Sequence, residues 1–295
     1  TYYASNYEVN SKGLLYHYIS TNVNATGNSS GQNANYNYVG EAPSYLKTGV
    51  EYYSYDGHYF YTNYNTMIND YKNNVRTNAV NCDNPYYFYY QYLPLRSQTN
   101  YTGEQLTTYL NSKANSSTSK LNNTGEIFVK YQNQYGVNAL LAASFAALES
   151  GWGKSSIAIN KNNLFGLNAV DSNPGNADTF DSVEDSIYNF TSSWMSKRYL
   201  NAKYTNLFRF FFYGDKGSGI FGKYSSDPYE GEKCASIAAN MDAGISSLDK
   251  NYYTIGFKDV LLTTHTTVNV RKESNTNSTV FYTTLLNAPI AFIVR

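Results

Sequence analysis

Two cysteines, three histidines and two tryptophans are all that the 295 residues hold of those types, and each scarcity closes off a class of chemistry. Cys82 and Cys234 lie far apart, without a CxxC or a histidine at metal-ligand spacing, so neither a zinc site nor a disulfide framework is expected. Both are read as free, buried thiols. His17, His58 and His265 are scattered, which leaves histidine-based nucleophilic catalysis without support. No HExxH, GxSxG or P-loop occurs. The run from Gly214 to Gly219 lacks both dinucleotide spacing and a preceding strand, so it is read as a loop. No metal and no organic cofactor is implied.

Charge of one sign is also missing. Lys plus Arg number 22 and Asp plus Glu number 22, so no global field draws in nucleic acid or an anionic membrane. The longest apolar run, Ala139 to Leu148, is interrupted by Ser144. It falls far short of the ~20 residues of a membrane span, and no membrane insertion is expected. The chain begins without a charged-then-apolar leader, as a mature chain freed of its signal would.

What is abundant is tyrosine, 33 residues of it, with Asn, Ser and Thr around it. Tyrosine rings pack well in strands, and they also stack on sugar faces while their hydroxyls hydrogen-bond. Residues 1 to about 100 form a Tyr-rich, turn-rich part with a polar loop from Asn24 to Asn35. Within it, Val50 to Tyr61 places Asp56-Gly57 between two aromatic strand-like runs and is read as a hairpin.

From about Gln105 the period becomes helical. Asn123, with Glu126 three residues on, is the expected N-cap of an amphipathic helix carrying Ile127, Phe128, Tyr131 and Tyr135, stopped by Gly136. The next helix starts near Asn138 and is apolar on every side through Leu148, the mark of a central buried helix, and Gly151 ends it. Phe180 to Asp185 opens a third, in which Val183, Ile187, Phe190 and Trp194 recur at helical spacing. A last helix carries Cys234, Ile237, Ala238, Met241, Ile245 and Leu248 on one stripe. After Asn251 the pattern alternates, with strand candidates at Thr267–Arg271, Val280–Leu286 and Ile290–Val294. The division expected is residues 1–100, 101–252 and 253–295.

Glu149 is the lone charged residue between Asn138 and Trp152, and it sits at the C-terminal end of the apolar helix. Desolvation and the negative end of the helix dipole both disfavour its carboxylate, so its pKa should be raised. A carboxyl still protonated near neutral pH can donate to the leaving oxygen of a glycosidic bond. The plain alternative is a helix-end glutamate turned to solvent.

The run Glu149-Ser150-Gly151-Trp152-Gly153-Lys154-Ser155, then Asn163-Leu164-Phe165-Gly166, then Phe180-Asp181-Ser182-Val183-Glu184-Asp185-Ser186-Ile187, resembles the ordered signature of bacterial endo-β-N-acetylglucosaminidases of glycoside hydrolase family 73. Tyr224-Ser225-Ser226-Asp227-Pro228-Tyr229 resembles that family's Tyr-Ala-Thr-Asp motif, with Ser-Ser in place of Ala-Thr. The resemblance covers roughly Thr124 to Leu248, and the Tyr-rich part before it is similar to the corresponding region of clostridial-type autolysin modules. It implies an α+β, lysozyme-like fold, mainly helical with a small β-lobe flanking a cleft. Glu149 then takes the general-acid role and Tyr224 the place of the cleft tyrosine. Trp152, Asn163, Phe165, Gly166 and Asp227 are expected at the substrate.

For the second carboxylate the family offers either an acidic residue of the β-lobe or the substrate's own N-acetyl group. Here the lobe between Gly166 and Phe180 supplies Asp171 and Asp178. Asp178 is the better protein candidate, substrate assistance is preferred over either, and Asp181 and Glu184 are read as helix-start residues. The partner so implied is the glycan strand of peptidoglycan, and the setting is secreted, at the bacterial cell wall, as a monomer. Two rivals stand beside this reading: a muramidase or lytic transglycosylase of the same fold, and a non-catalytic wall-binding module. Val268-Asn269-Val270-Arg271 resembles the opening of a bacterial SH3-type wall-binding repeat and fits all of these.

Overall fold

The computed structural model describes residues 4–20, 36–169, 176–203, 211–215, 217–258, 267–284, 286 and 289–294. The polar loop Asn24–Asn35, His265 and Asp171 lie outside the described residues. The chain divides into two compact units, Thr1–Tyr89 and Tyr90–Arg295. Strands and helices occupy separate stretches, which makes the fold α+β.

In the first unit, β1 (Asn6–Val9), β2 (Leu14–Tyr18), β3 (Tyr36–Glu41) and β4 (Glu51–Tyr52) form one antiparallel sheet in the order β3-β2-β1-β4. Alternation sends Tyr7, Val9, Leu15, His17, Val39 and Tyr52 to the buried face, where the Tyr7 and His17 rings stack at 4.1 Å. Tyr16, Tyr18, Tyr36 and Tyr38 share the opposite face, paired across the strands. The expected hairpin at Val50–Tyr61 is only partly formed. Glu51 and Tyr52 pair with β1, and the return closes through a single bridge in which Tyr53 and Tyr61 exchange both backbone hydrogen bonds. The Asp56-Gly57 pair makes no two-residue turn because Asp56 Oδ1 instead accepts the His58 N–H at 2.8 Å, an Asx-type turn inside a longer loop. Helix α1 (Tyr64–Lys72) follows, capped by Asn63.

The second unit is built around its helices: α2 (Gly103–Ala114), α3 (Gly125–Tyr135), α4 (Ala139–Glu149), α5 (Ser156–Lys161), α6 (Val183–Tyr188), a π-helix (Asn189–Tyr199), α7 (Phe221–Tyr224) and α8 (Glu230–Ile245). Helix α4 is the centre, with every residue from Ala139 to Ala147 buried and α3 and α8 packed against it. Its alanines let those neighbours approach closely, while Phe145 fills the space between the Phe190 and Phe221 rings, each 4.9 Å away. The helix starts at the expected place, and Asn138 caps it by accepting the Leu141 N–H at 3.0 Å.

The cap of α3 differs from the expectation. Asn123 lies in left-handed backbone and pairs with Asn111 instead, and Thr124 precedes the helix without a side-chain cap. The cause is close packing: a Cβ on Gly125 would stand 2.3 Å from the Gly103 carbonyl oxygen, so the helix starts where two glycines let α2 and α3 touch.

A buried carboxylate ties the end of α8 to the segment before α2. Asp242 accepts from the Tyr90 and Tyr101 hydroxyls at 2.5 Å each and from the Asp249 N–H at 3.0 Å. Asp242→Ala would remove the side-chain acceptor of the Tyr90 hydroxyl and the Asp249 N–H, leaving Tyr101 its bond to the Asp242 backbone carbonyl, and is expected to cost about 3 kcal/mol, read as a lowered midpoint in urea unfolding with the slope unchanged.

After α8, β5 (Thr254–Lys258) pairs with β8 (Ile290–Val294), and β6 (Asn269–Arg271) with β7 (Val280–Thr283), as two antiparallel ribbons. Strand β5 was not among the three strands singled out. Its Gly256 weakens the strand signal, yet it is needed, because a Cβ there would sit 2.5 Å from the Phe292 ring. The reading of both cysteines as buried holds for Cys234 alone, since Cys82 is exposed. Among the described residues no helix is long and apolar enough to cross a membrane.

Candidate active site

The turn that ends α4 is built from three successive residues in left-handed backbone, Gly151, Trp152 and Gly153. Ser150, fully buried, organises it: its hydroxyl donates to the Ala146 carbonyl at 2.5 Å and accepts the Gly153 N–H at 2.7 Å, while the Trp152 N–H reaches the Ala147 carbonyl at 2.7 Å. Ser119 then holds the Trp152 carbonyl from outside at 2.7 Å. The helix is thereby stopped one residue past Glu149, and the carboxylate is presented from a rigid frame. Trp152 itself is half-buried in the turn.

Glu149 Oε1 is buried and has no hydrogen-bond partner. No ion pair involving Glu149 occurs among the described residues. Burial, reinforced by repulsion from the Glu230 carboxylate, pushes its carboxyl up to about 8. The expectation from helix-end placement is therefore met in direction.

Gly166 lies against the other oxygen: a Cβ built on it would be 3.8 Å from Glu149 Oε2, and its φ of 60° favours glycine on its own account. The turn that carries Gly166 is shaped by Asn163, which is buried. Its amide nitrogen donates to the Leu167 and Asp178 carbonyls at 3.1 and 3.0 Å, and its oxygen accepts from Phe165 and Leu167 N–H at 3.3 and 3.0 Å. All of its hydrogen-bonding capacity faces the protein. Phe165 is likewise buried, stacked on Phe190 at 3.8 Å with the rings nearly parallel.

Tyr224 stands at the end of α7, with its ring edge-on to Phe145 at 4.9 Å and its hydroxyl donating to the Phe165 carbonyl at 2.6 Å. Burial first, then the negative charge of Glu149, keeps its phenol far above the ordinary tyrosine range. Glu149, Gly166, Phe165 and Tyr224 thus form one connected group, with Asn163 behind it.

Asp227 and Asp178 are bound elsewhere. Asp227 accepts the Tyr229 N–H at 2.8 Å and pairs with Lys233, which sets the start of α8. Asp178 Oδ2 accepts from Asn168 Nδ2 at 2.8 Å. Among the described residues around it, 166–169 and 176–182, none lies in a strand, so the expected small β-lobe is not seen there. Glu184 is occupied by Lys130 at 2.6 Å and by the Tyr131 hydroxyl at 3.0 Å, and Ser182 caps α6, in keeping with a helix-start reading.

Sequence reasoning missed Glu230. It accepts from Ser225 Oγ at 2.8 Å and acts electrostatically on Glu149 and Tyr224, yet it stands 81 residues from Glu149, a separation that only the fold closes. Its position three residues beyond Asp227 was the one available hint. Among the described residues no group of three or more His, Cys, Asp or Glu could hold a metal ion.

Comparison with known proteins adds the following. The family model described as mannosyl-glycoprotein endo-beta-N-acetylglucosaminidase matches residues 125–262. Two proteins described as endo-beta-N-acetylglucosaminidase, from Streptococcus pneumoniae serotype 4 and from S. pneumoniae strain R6, are each 32% identical over 236 residues, 80% of this chain. The chain spans 30% and 28% of the length of those relatives. Among solved structures, a catalytic mutant of S. aureus autolysin E in complex with the disaccharide NAG-NAM aligns with a TM-score of 0.41 at 21% identity. The alignment covers 52% of this chain and 72% of that one. A structure of major bifunctional autolysin aligns at 0.38 and 21%, covering 60% and 77%. Residues 125–262 of this chain thus form a glucosaminidase-family domain.

Proposed function

We propose that this protein is a peptidoglycan hydrolase, acting outside the bacterial cell, that cuts the glycosidic bond following N-acetylglucosamine. The observation that carries the reading is the unpaired, buried carboxyl of Glu149, raised to about 8. Such a group is protonated at neutral pH and has no partner other than what enters the site. The family of residues 125–262 supplies the class of bond.

In the mechanism proposed, Glu149 donates its proton to the glycosidic oxygen as the C1–O bond breaks. The carbonyl oxygen of the substrate's own N-acetyl group closes on C1, giving an oxazolinium ion, and the leaving sugar departs neutral. Water then adds to C1 and yields its proton to the Glu149 carboxylate, which restores the starting state. In this reading Tyr224 faces the anomeric carbon, which its position in the group around Glu149 supports, and its hydroxyl donates to the Phe165 carbonyl. Asp178, whose carboxylate accepts from Asn168, is the protein carboxylate that would act in place of the acetamido group if the reaction is not substrate-assisted. Trp152 and Gly166 would touch the sugar, while Asn163, Phe165 and Asp227 hold the turns that do. The glucosaminidase domain is taken as 101–252, with residues 1–100 as the Tyr-rich N-terminal part of the catalytic module and 253–295 as a short β segment that begins a wall-binding repeat, and the active species as a monomer.

Digestion of purified peptidoglycan followed by borohydride reduction and mass spectrometry tests the reading. Reduced N-acetylglucosamine ends are expected. Reduced or anhydro muramic-acid ends would transfer the activity to the other glycosidic bond, and no new ends at all would leave a wall-binding module. Tyr224→Phe, which loses one buried hydrogen bond, is expected to lower kcat about tenfold to a hundredfold with little change in melting temperature.

A further inference from the structure

The π-helix Asn189–Tyr199 buries Phe190, Met195 and Tyr199 and leaves Trp194 and Arg198 half-buried. At its start Phe190 stacks under Phe165. Trp194 at its middle and Tyr199 at its end, five residues apart, lie with ring centroids 6.2 Å apart, because i→i+5 bonding brings such residues onto one face. Tyr199 in turn contacts the Tyr224 ring at 6.2 Å. An aromatic row therefore connects Tyr224, beside Glu149, through the buried Tyr199 to the half-buried Trp194 indole. The end of the row is fixed in place by Arg96, which donates to the Ser196 and Leu200 carbonyls at 3.1 Å each and to Tyr135 at 2.7 Å.

Over the Trp194 ring, 4.8 Å from its centre, sits the Arg198 guanidinium. Unlike Arg96, Arg198 makes no side-chain hydrogen bond and no ion pair among the described residues. From Asn189 to Lys203 there is no Asp or Glu, whereas Lys197, Arg198 and Lys203 are all cationic, in a chain that is neutral overall. A guanidinium held on an indole keeps its fork of donors oriented and only partly hydrated, the condition under which it recognises a carboxylate well.

We infer that Trp194 and Arg198 form an outer subsite that stacks a sugar ring and binds a carboxylate carried on it. This deepens the proposed function and rests on it: the ligand class is a carboxylate-bearing amino sugar of the wall glycan. Two sources share that chemistry, the lactyl group of muramic acid without its peptide, and the free carboxylates of a stem peptide attached there.

The test uses the Glu149→Gln protein, so that ligands are bound and not cut, with and without Arg198→Ala. Calorimetric titration is made with the N-acetylglucosaminyl-muramic acid disaccharide, with the same disaccharide bearing a stem peptide, and with both after conversion of their carboxylates to methylamides. Arg198→Ala is expected to weaken binding of one charged ligand about tenfold and to leave both methylamides within about twofold. Which charged ligand responds names the source. Equal loss on charged and methylamidated ligands, or no loss on any, overturns the subsite. Trp194→Phe, at an unchanged melting temperature, is expected to weaken all four alike by a smaller factor. Failure of the Glu149→Gln protein to bind any of them would instead strike the proposed function, and the subsite would fall with it.

Discussion

Glu149→Gln is expected to lower kcat on peptidoglycan by about 10³-fold, within the 10²–10⁴ range of a lost general acid. The amide keeps the shape of the side chain and fills the same space beside Gly166, so the loss reports the proton and not the packing. The pH dependence follows from the same group. With a carboxyl raised to about 8, the wild-type protein should lose activity as pH rises through 8, where Glu149 ionises. The residual rate of the variant should show no such limb.

Stability should change in the opposite direction. The folded pKa of Glu149 lies above its ordinary value of 4.5, so the protonated form is the one the fold favours. Its contribution is fully present below about 4.5 and is lost as pH rises through about 8, by an amount on the order of 4 kcal/mol. Glu149→Gln cannot ionise, so it should match wild type in acid and exceed its melting temperature above pH 8. A variant that is nearly inactive and more stable in alkali is the signature of strain held for function.

Gly153→Ala should be severely destabilising, by about 3 kcal/mol or more, or roughly 6–12 °C in melting temperature for a chain of this size. A Cβ there would meet the Leu121 N–H and Ser119 Oγ at 2.6 Å and the Lys120 N–H at 2.8 Å, in a backbone with φ of 74°. Gly151→Ala is the control. Its φ of 54° is also left-handed, but nothing lies within 4 Å, so only the conformational cost of about 1 kcal/mol is expected. If the two variants melt together, the turn is not held by the Ser119–Leu121 strand of backbone as described.

The features legible in the sequence are those set by local pattern. Helix α4 is apolar on all sides with one carboxylate at its end, a pattern that specifies burial and a perturbed acid without knowledge of any neighbour. What depends on tertiary contact was not legible. Asn163 is expected from the sequence at the substrate, and only the fold shows each of its polar atoms bonded to the protein. The stripe Val183, Ile187, Phe190, Trp194 reads as one α-helix, whereas the backbone changes to i→i+5 bonding at Asn189, which carries Trp194 out of the core. Glu230 acts on Glu149 across the fold, and no spacing rule reaches it.

The most direct measurement of the central claim is an NMR titration of the Glu149 side-chain carboxyl, in protein labelled with 13C-glutamate and assigned against Glu149→Gln. A midpoint near 8 is expected. A midpoint near 4.5 would mean a solvated, ionised carboxylate at neutral pH, and Glu149 could not then serve as the acid of the reaction.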